Sequence, residues 1–159
     1  KHVRRHDPGR YMLFVQAEGS DIGEQYNRRT KYRAGDLSLV DLSAPLRCTY
    51  GNRRAVMLSY PKALCPLRES EVASLAGMRI DGQTGTAALI SELVRQLPQH
   101  LESNDLAASA QVGTAVLDLL HVGLAAQLDR TTAVEPETQR GALRTRAVRS
   151  SRRTFPTPT

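Results

Sequence analysis

Near residue 68 the hydrophobic pattern of this chain changes period, and few folds accommodate such a switch. Before it, short apolar runs stand apart from one another: Tyr11-Met12-Leu13-Phe14-Val15, Leu37-Ser38-Leu39-Val40-Asp41-Leu42, and Ala55-Val56-Met57-Leu58-Ser59-Tyr60. The segments Glu18-Gly19-Ser20-Asp21, Arg33-Ala34-Gly35-Asp36, Ser43-Ala44-Pro45 and Tyr50-Gly51-Asn52 separate them, each with the Gly, Pro, Asn or Asp that tight turns require. Strand-length runs with turns between them and no helical period predict an antiparallel sandwich or barrel over residues 1–67.

After the switch the pattern is helical. Glu69 to Ala76 reads as a short helix stopped by Gly77. A longer one starts at Thr84 or Thr86 and carries Leu89, Ile90, Leu93, Val94 and Leu97 before Pro98 ends or kinks it. A third opens at Asn104 or Asp105, both good N-caps, and runs to about Asp129. The short connection from Leu97 to Asp105 predicts that the last two helices pack as an antiparallel hairpin, so residues 68–130 form a helical region. Leu117, Leu120, Leu124 and Leu128 make a seam along the third helix, a spacing that reads as ordinary core before it reads as an interface. Residues 131–159 lose periodicity and are expected to form a disordered, basic tail.

The charge is equally uneven. The net +6 arises wholly from six arginines after Gln139, namely Arg140, Arg144, Arg146, Arg149, Arg152 and Arg153; up to Gln139, 16 Lys and Arg face 16 Asp and Glu. A balanced body has no face built to neutralise phosphates, so a nucleic-acid-binding activity would belong to the tail alone. With 159 residues the chain is one domain's worth and buries roughly 70% of its unfolded surface, enough for a core without staples. Cys48 and Cys65 lack the spacing of a zinc site or a redox pair, which fits a reducing compartment. No run of about 18 apolar residues occurs, and the basic start leads into Asp7-Pro8-Gly9 and not into a signal sequence. A cytoplasmic protein without a membrane partner is expected.

Catalytic signatures are missing. The histidines, His2, His6, His100 and His121, are scattered, and Tyr11 to Tyr60 contains none. A small metal-dependent enzyme of the cupin type, the main alternative, needs imidazoles from neighbouring strands converging on one ion. Neither a G-x-S-x-G elbow, a Walker loop nor a G-x-G-x-x-G turn is present. We therefore expect no catalytic residue, no metal and no cofactor. His121 is expected to be a core or interface histidine and His100 a helix-end cation. Arg28-Arg29-Thr30-Lys31, flanked by Tyr26 and Tyr32, reads as the solvated part of a hairpin, and Arg53-Arg54 likewise.

The stretches His6-Asp7-Pro8-Gly9-Arg10-Tyr11-Met12-Leu13-Phe14-Val15-Gln16, Arg33-Ala34-Gly35-Asp36-Leu37 through Asp41-Leu42-Ser43-Ala44-Pro45, and Met57-Leu58-Ser59-Tyr60-Pro61-Lys62-Ala63-Leu64 occur in an informative order. Together they resemble the N-terminal ligand-binding and dimerisation domain of AraC-type transcriptional regulators, of the actinobacterial type, over about residues 1–130. Ala34 stands where that family tends to have Pro, and Leu42 where it tends to have Ser. The resemblance implies a cupin-like double-stranded β-helix (jelly roll) that binds a small-molecule effector, followed by helices that pair two subunits as a homodimer. It moves Leu117, Leu120, Leu124 and Leu128 from core to candidate dimer interface. Inward residues of the first strands and of the segment from Asp41 to Tyr50 become candidate effector contacts, among them Phe14, Gln16, Arg47 and Tyr50; alternation leaves open which parity faces inward.

Members of that family bind DNA through two helix-turn-helix units, which are not found here, so DNA contact is expected only through a missing C-terminal domain. One allowed coding of residues 150–159, read one base earlier, gives Phe-Ile-Glu-Ala-His-Leu-Pro-Asp-Pro-Asp, close to the segment that opens the family's DNA-binding domain. A frameshift between Gln139 and Arg149 that truncated a longer regulator is the corresponding expectation.

Overall fold

The computed structural model describes the backbone of residues 9–101 and 106–151, and the side chains of residues 9–49, 51–101 and 109–133. Six strands come first: β1 (Arg10–Glu18), β2 (Ser20–Gln25), β3 (Arg28–Arg33), β4 (Leu37–Asp41), β5 (Arg47–Tyr50) and β6 (Arg54–Pro61). A single 3-10 turn, Lys62–Leu64, leads to α1 (Glu69–Leu75), α2 (Gly85–His100) and α3 (Leu106–Ser151). The chain is thus mostly β in its first part and helical thereafter.

The strands form two antiparallel sheets, ordered β4-β1-β6 and β3-β2-β5. The first is covered on both sides. Tyr11, Leu13 and Val15 of β1, with Leu37 and Leu39 of β4 and Tyr60 of β6, face the helices, where they meet Val72, Leu75, Ile90, Val94, Leu97, Val116, Leu120 and Leu124. The opposite face carries Phe14 and Val40, which meet Tyr32 of the second sheet, with Met12 and Ala55 packed beside them. Two-sided burial removes any reason for polar alternation, which is why β1 reads as a continuous apolar run.

The second sheet departs from the sequence reading. Ser20 and Asp21, assigned to a turn, begin β2, and the turn is confined to Gly19. The expected hairpin joins β2 to β3 through Tyr26 and Asn27, both at positive φ (50° and 59°), the twist of a two-residue hairpin. Gly35 turns the chain at φ 93°, and the Asp36 carboxylate accepts the Arg33 amide at 2.8 Å, which fixes the start of β4.

Pro98 lies inside α2 and does not end it, since only the last turn follows. Helix α3 runs on to Ser151, beyond the boundary expected near Asp129 and into the stretch expected to be a disordered tail; with Pro136, Gly141 and four threonines, residues 131–151 carried no helical signal in the sequence. The caps Asn104 and Asp105 and residues 152–159 lie outside the described residues. Within α3, Ser109–Ala133 is long and apolar enough to cross a membrane by length and composition. Its Val116, Leu120 and Leu124 are nonetheless packed in the core. Gly123 lets α2 approach closely: a Cβ there would stand 2.5 Å from Ile90 Cδ1.

Candidate functional site: the cleft between the sheets

The inner faces of the two sheets leave a small cleft of about 70 Å³. Ligand pockets are mainly apolar with a few fixed polar groups, and this cleft has that composition. Met12, Phe14 and Val40 form one wall, Gly23, Tyr32 and Cys48 the other, with Leu46 and Met57 also lining it. Phe14 and Tyr32 are buried and stand with ring centroids 5.4 Å apart, tilted by 58°. Met57 is exposed at the rim.

Parity follows from register. Asp21 pairs with Tyr32 and Gly23 with Cys48, so the odd residues of β2 face inward with the even residues of β3 and β5. Two of those odd positions are polar and each is held. Gln25 donates Nε2 to the Asp41 carbonyl at 2.7 Å and accepts the Asp41 amide at 2.9 Å, tying the second sheet to β4. Asp21, 5% exposed, receives Arg53 Nε on Oδ2 at 2.8 Å, while its Oδ1 is buried with no hydrogen-bond partner. Burial pushes the Asp21 carboxyl above its ordinary range, against the opposing pull of Arg53 and the Gly51 amide. The Arg53 guanidinium also lies 5.8 Å from the Phe14 centroid, a cation–π distance.

Tyr32 connects this cleft to the helices. Its hydroxyl shares a hydrogen bond with Ser38 Oγ at 3.1 Å and donates to the Gly77 carbonyl at 3.0 Å. Thr30 donates to the same carbonyl at 2.7 Å, and Arg28 donates to the carbonyls of Ala73 and Ala76 at the end of α1. One edge of the second sheet is therefore pinned to the C-terminus of α1, where carbonyls lack intrahelical donors. Burial raises the Tyr32 phenol pKa, opposed by its bonds to Ser38 and Thr30.

Of the four expected effector contacts, Phe14 lines the cleft. Gln16 shares the Phe14 face but lies outside the lining, fully buried, donating Nε2 to the Glu18 carbonyl at 2.7 Å. Arg47 pairs with Glu24 on the outward parity and is exposed. Tyr50 pairs with Asp21 in backbone register; its side chain lies outside the described residues. Asp21 and Arg53 were missed because one was read as turn and the other as solvated. An acid on the inward parity of a strand was their only signal.

The leucine seam points inward. Leu120 and Leu124 are 1% exposed, and Leu117 and Leu128 pack against the same core, so the seam is occupied within one chain. The exposed apolar side chains of the helices are instead Leu89 and Leu93 on α2 and Val112 and Val122 on α3. Among the described residues no group of three His, Cys, Asp or Glu is placed to hold a metal ion.

Comparison with known proteins matches the fold. The crystal structure of the AraC-like transcriptional activator CuxR superposes with a TM-score of 0.66 at 15% identity, covering 77% of this chain and 44% of that one. The likeness shows a shared fold, and the chain spans under half the length of that activator's chain. No match to a curated protein was found. The family model described as the AraC-binding-like domain matches residues 1–125, most of the chain, which therefore belongs to the AraC-binding-like domain family.

Proposed function

We propose that this chain is the sensing and self-associating part of an AraC-type transcriptional regulator, without catalytic activity. A small effector enters the cleft between the sheets, which we read as the two walls of a cupin-like jelly roll. The cleft carries this assignment: apolar walls with one buried ion pair suit the binding of a small molecule and leave no histidine cluster for chemistry. Contact with DNA is made by a separate helix-turn-helix region and not by these sheets and helices.

Helices α2 and α3 act as an antiparallel hairpin, supported by Gly123 facing Ile90 while Arg130 approaches Gly85. Because the leucine seam is filled from within, two copies pair through the outer faces that carry Leu89, Leu93 and Val122. A cytoplasmic location goes with this role.

The chain has no tryptophan, so Met57→Trp installs a single reporter at the cleft rim. Small molecules that bind are expected to change its emission and raise the melting temperature, and light scattering is expected to give twice the chain mass. A monomer whose reporter responds to no compound in a broad small-molecule set refutes the proposal.

A further inference from the structure

The outer face of the second sheet carries charge that the fold does not use. With the odd residues of β2 inward, Ile22 and Glu24 face outward, beside Arg29, Lys31 and Arg33 of β3 and Arg47 and Thr49 of β5. Ile22 and Glu24 are half-buried and the other five are exposed. Four cations against one carboxylate leave a local excess of three positive charges. Glu24 stands 3.6 Å from Arg29 Nε and is the cross-strand partner of both Arg29 and Arg47. Among the described residues, Lys31, Arg33 and Arg47 make no ion pair and no side-chain hydrogen bond; of the other described Lys and Arg side chains, only Arg130 shares that state. The acids next along the chain are committed elsewhere: Glu18 to Arg54 at 2.9 Å, Asp21 to Arg53 at 2.8 Å and Asp36 to Arg79 at 2.7 Å. Because the charges up to Gln139 cancel, the excess on this face is a segregation that composition conceals.

Same-side residues of a strand repeat at about 6.8 Å, so Arg29, Lys31 and Arg33 form a row about 14 Å long. At its middle Lys31 lies beside Ile22, which lies beside Thr49. An apolar centre within a charged rim is the anatomy of a protein contact. A phosphate backbone has nothing apolar to set on Ile22, and Glu24 repels it. We infer that the outer face of the second sheet docks an acidic segment of a partner protein, which sets an apolar side chain on Ile22 and carboxylates against Lys31, Arg33 and Arg47. The face is small, so the contact is weak and readily reversed. It lies on the opposite side of the sheet from the cleft and does not depend on what the cleft holds.

Two labelled peptides titrated with the full chain provide the test, Asp-Glu-Leu-Asp-Glu-Leu-Asp-Glu and its uncharged counterpart Asn-Gln-Leu-Asn-Gln-Leu-Asn-Gln, read by fluorescence polarisation. The acidic peptide is expected to bind at least about tenfold more tightly, by a margin that shrinks as salt rises. Its affinity should fall about tenfold in K31Q/R33Q/R47Q and about threefold in I22S, yet less than about twofold in R144Q/R146Q/R149Q, which removes charge from the basic tail. In the native chain the acidic peptide should shift the backbone amides of Ile22, Lys31 and Thr49, a reading that needs no variant to fold. Equal binding of the two peptides overturns the inference, as does affinity that is lost with the tail substitutions and kept with those of the face. A mixed-sequence DNA duplex that loses more affinity than the peptide in K31Q/R33Q/R47Q would make the partner a polyphosphate and overturn it as well. If the cations serve only to keep exposed edge strands apart, the triple variant aggregates and the native amides stay in place, and the inference falls.

Discussion

Single side chains join parts of this fold that are distant in sequence, and Asp41 does the most. Its Oδ2 accepts Tyr26 at 2.8 Å, and its Oδ1 accepts the Ser43 amide at 2.9 Å and meets Lys62 Nζ at 3.2 Å. Burial pushes its carboxyl pKa up, but the Ser43 amide, Tyr26 and Lys62 outweigh that and hold it below the ordinary 3.8. A depressed folded pKa means stability that is present above the unfolded value and lost as pH falls through the folded one. Asp41→Asn should therefore cost about 1–3 kcal/mol at pH 7 and flatten the loss of stability below pH ~4, read by urea unfolding. His121 has the opposite chemistry and the same sign. Burial lowers its pKa below 6.5 against the pull of Asp118, and Nε2 is buried without a partner. A neutral buried imidazole stabilises above pH 6.5, and that contribution fades on acidification, because the unfolded chain binds the proton more readily. His121→Phe keeps the edge-on ring contact with Tyr60, at 6.1 Å, and should shrink the stability difference between pH 7.5 and 5.5. An unchanged difference would show that His121 is not responsible for it.

Among the elements, legibility in sequence followed burial. Strands β1, β4 and β6 were readable because their apolar runs pack against helices or the facing sheet. Strand β2 was not, since Asp21, Gly23 and Gln25 occupy its inward positions and leave no hydrophobic alternation to detect. The ion pair of the cleft was hidden with it. Helical periodicity found α2 and the first half of α3, yet it could not say whether a leucine stripe meets the same chain or another copy. The contact between α2 and α3 gives a direct test. Gly123→Leu should push Ile90 aside and cost about 1–3 kcal/mol, and Ile90→Ala in the same chain should recover part of it. Additive losses in thermal melts would show that the two residues do not share this contact.

For the molecule as a whole, the helices and the first sheet share one core, which ties folding to the helical part. Leu120→Ala should cost about 2–5 kcal/mol, by an amount that does not vary with protein concentration, since its partners are in the same chain. Leu89→Lys with Val122→Lys should leave thermal unfolding of dilute protein nearly unchanged while halving the mass seen in light scattering. The opposite pattern, an intact mass for the double lysine variant and a concentration-dependent loss for Leu120→Ala, would return the leucine seam to the subunit boundary. Strand β1 gives this arrangement its sharpest consequence. A partition one peptide thick separates the chamber beside Phe14 from the helical interior beside Leu13 and Val15, so neither compartment can be re-cut without disturbing its neighbour. Tolerance to substitution should be lowest along that partition, and whatever fills the chamber presses on a wall whose reverse side holds the helices in place.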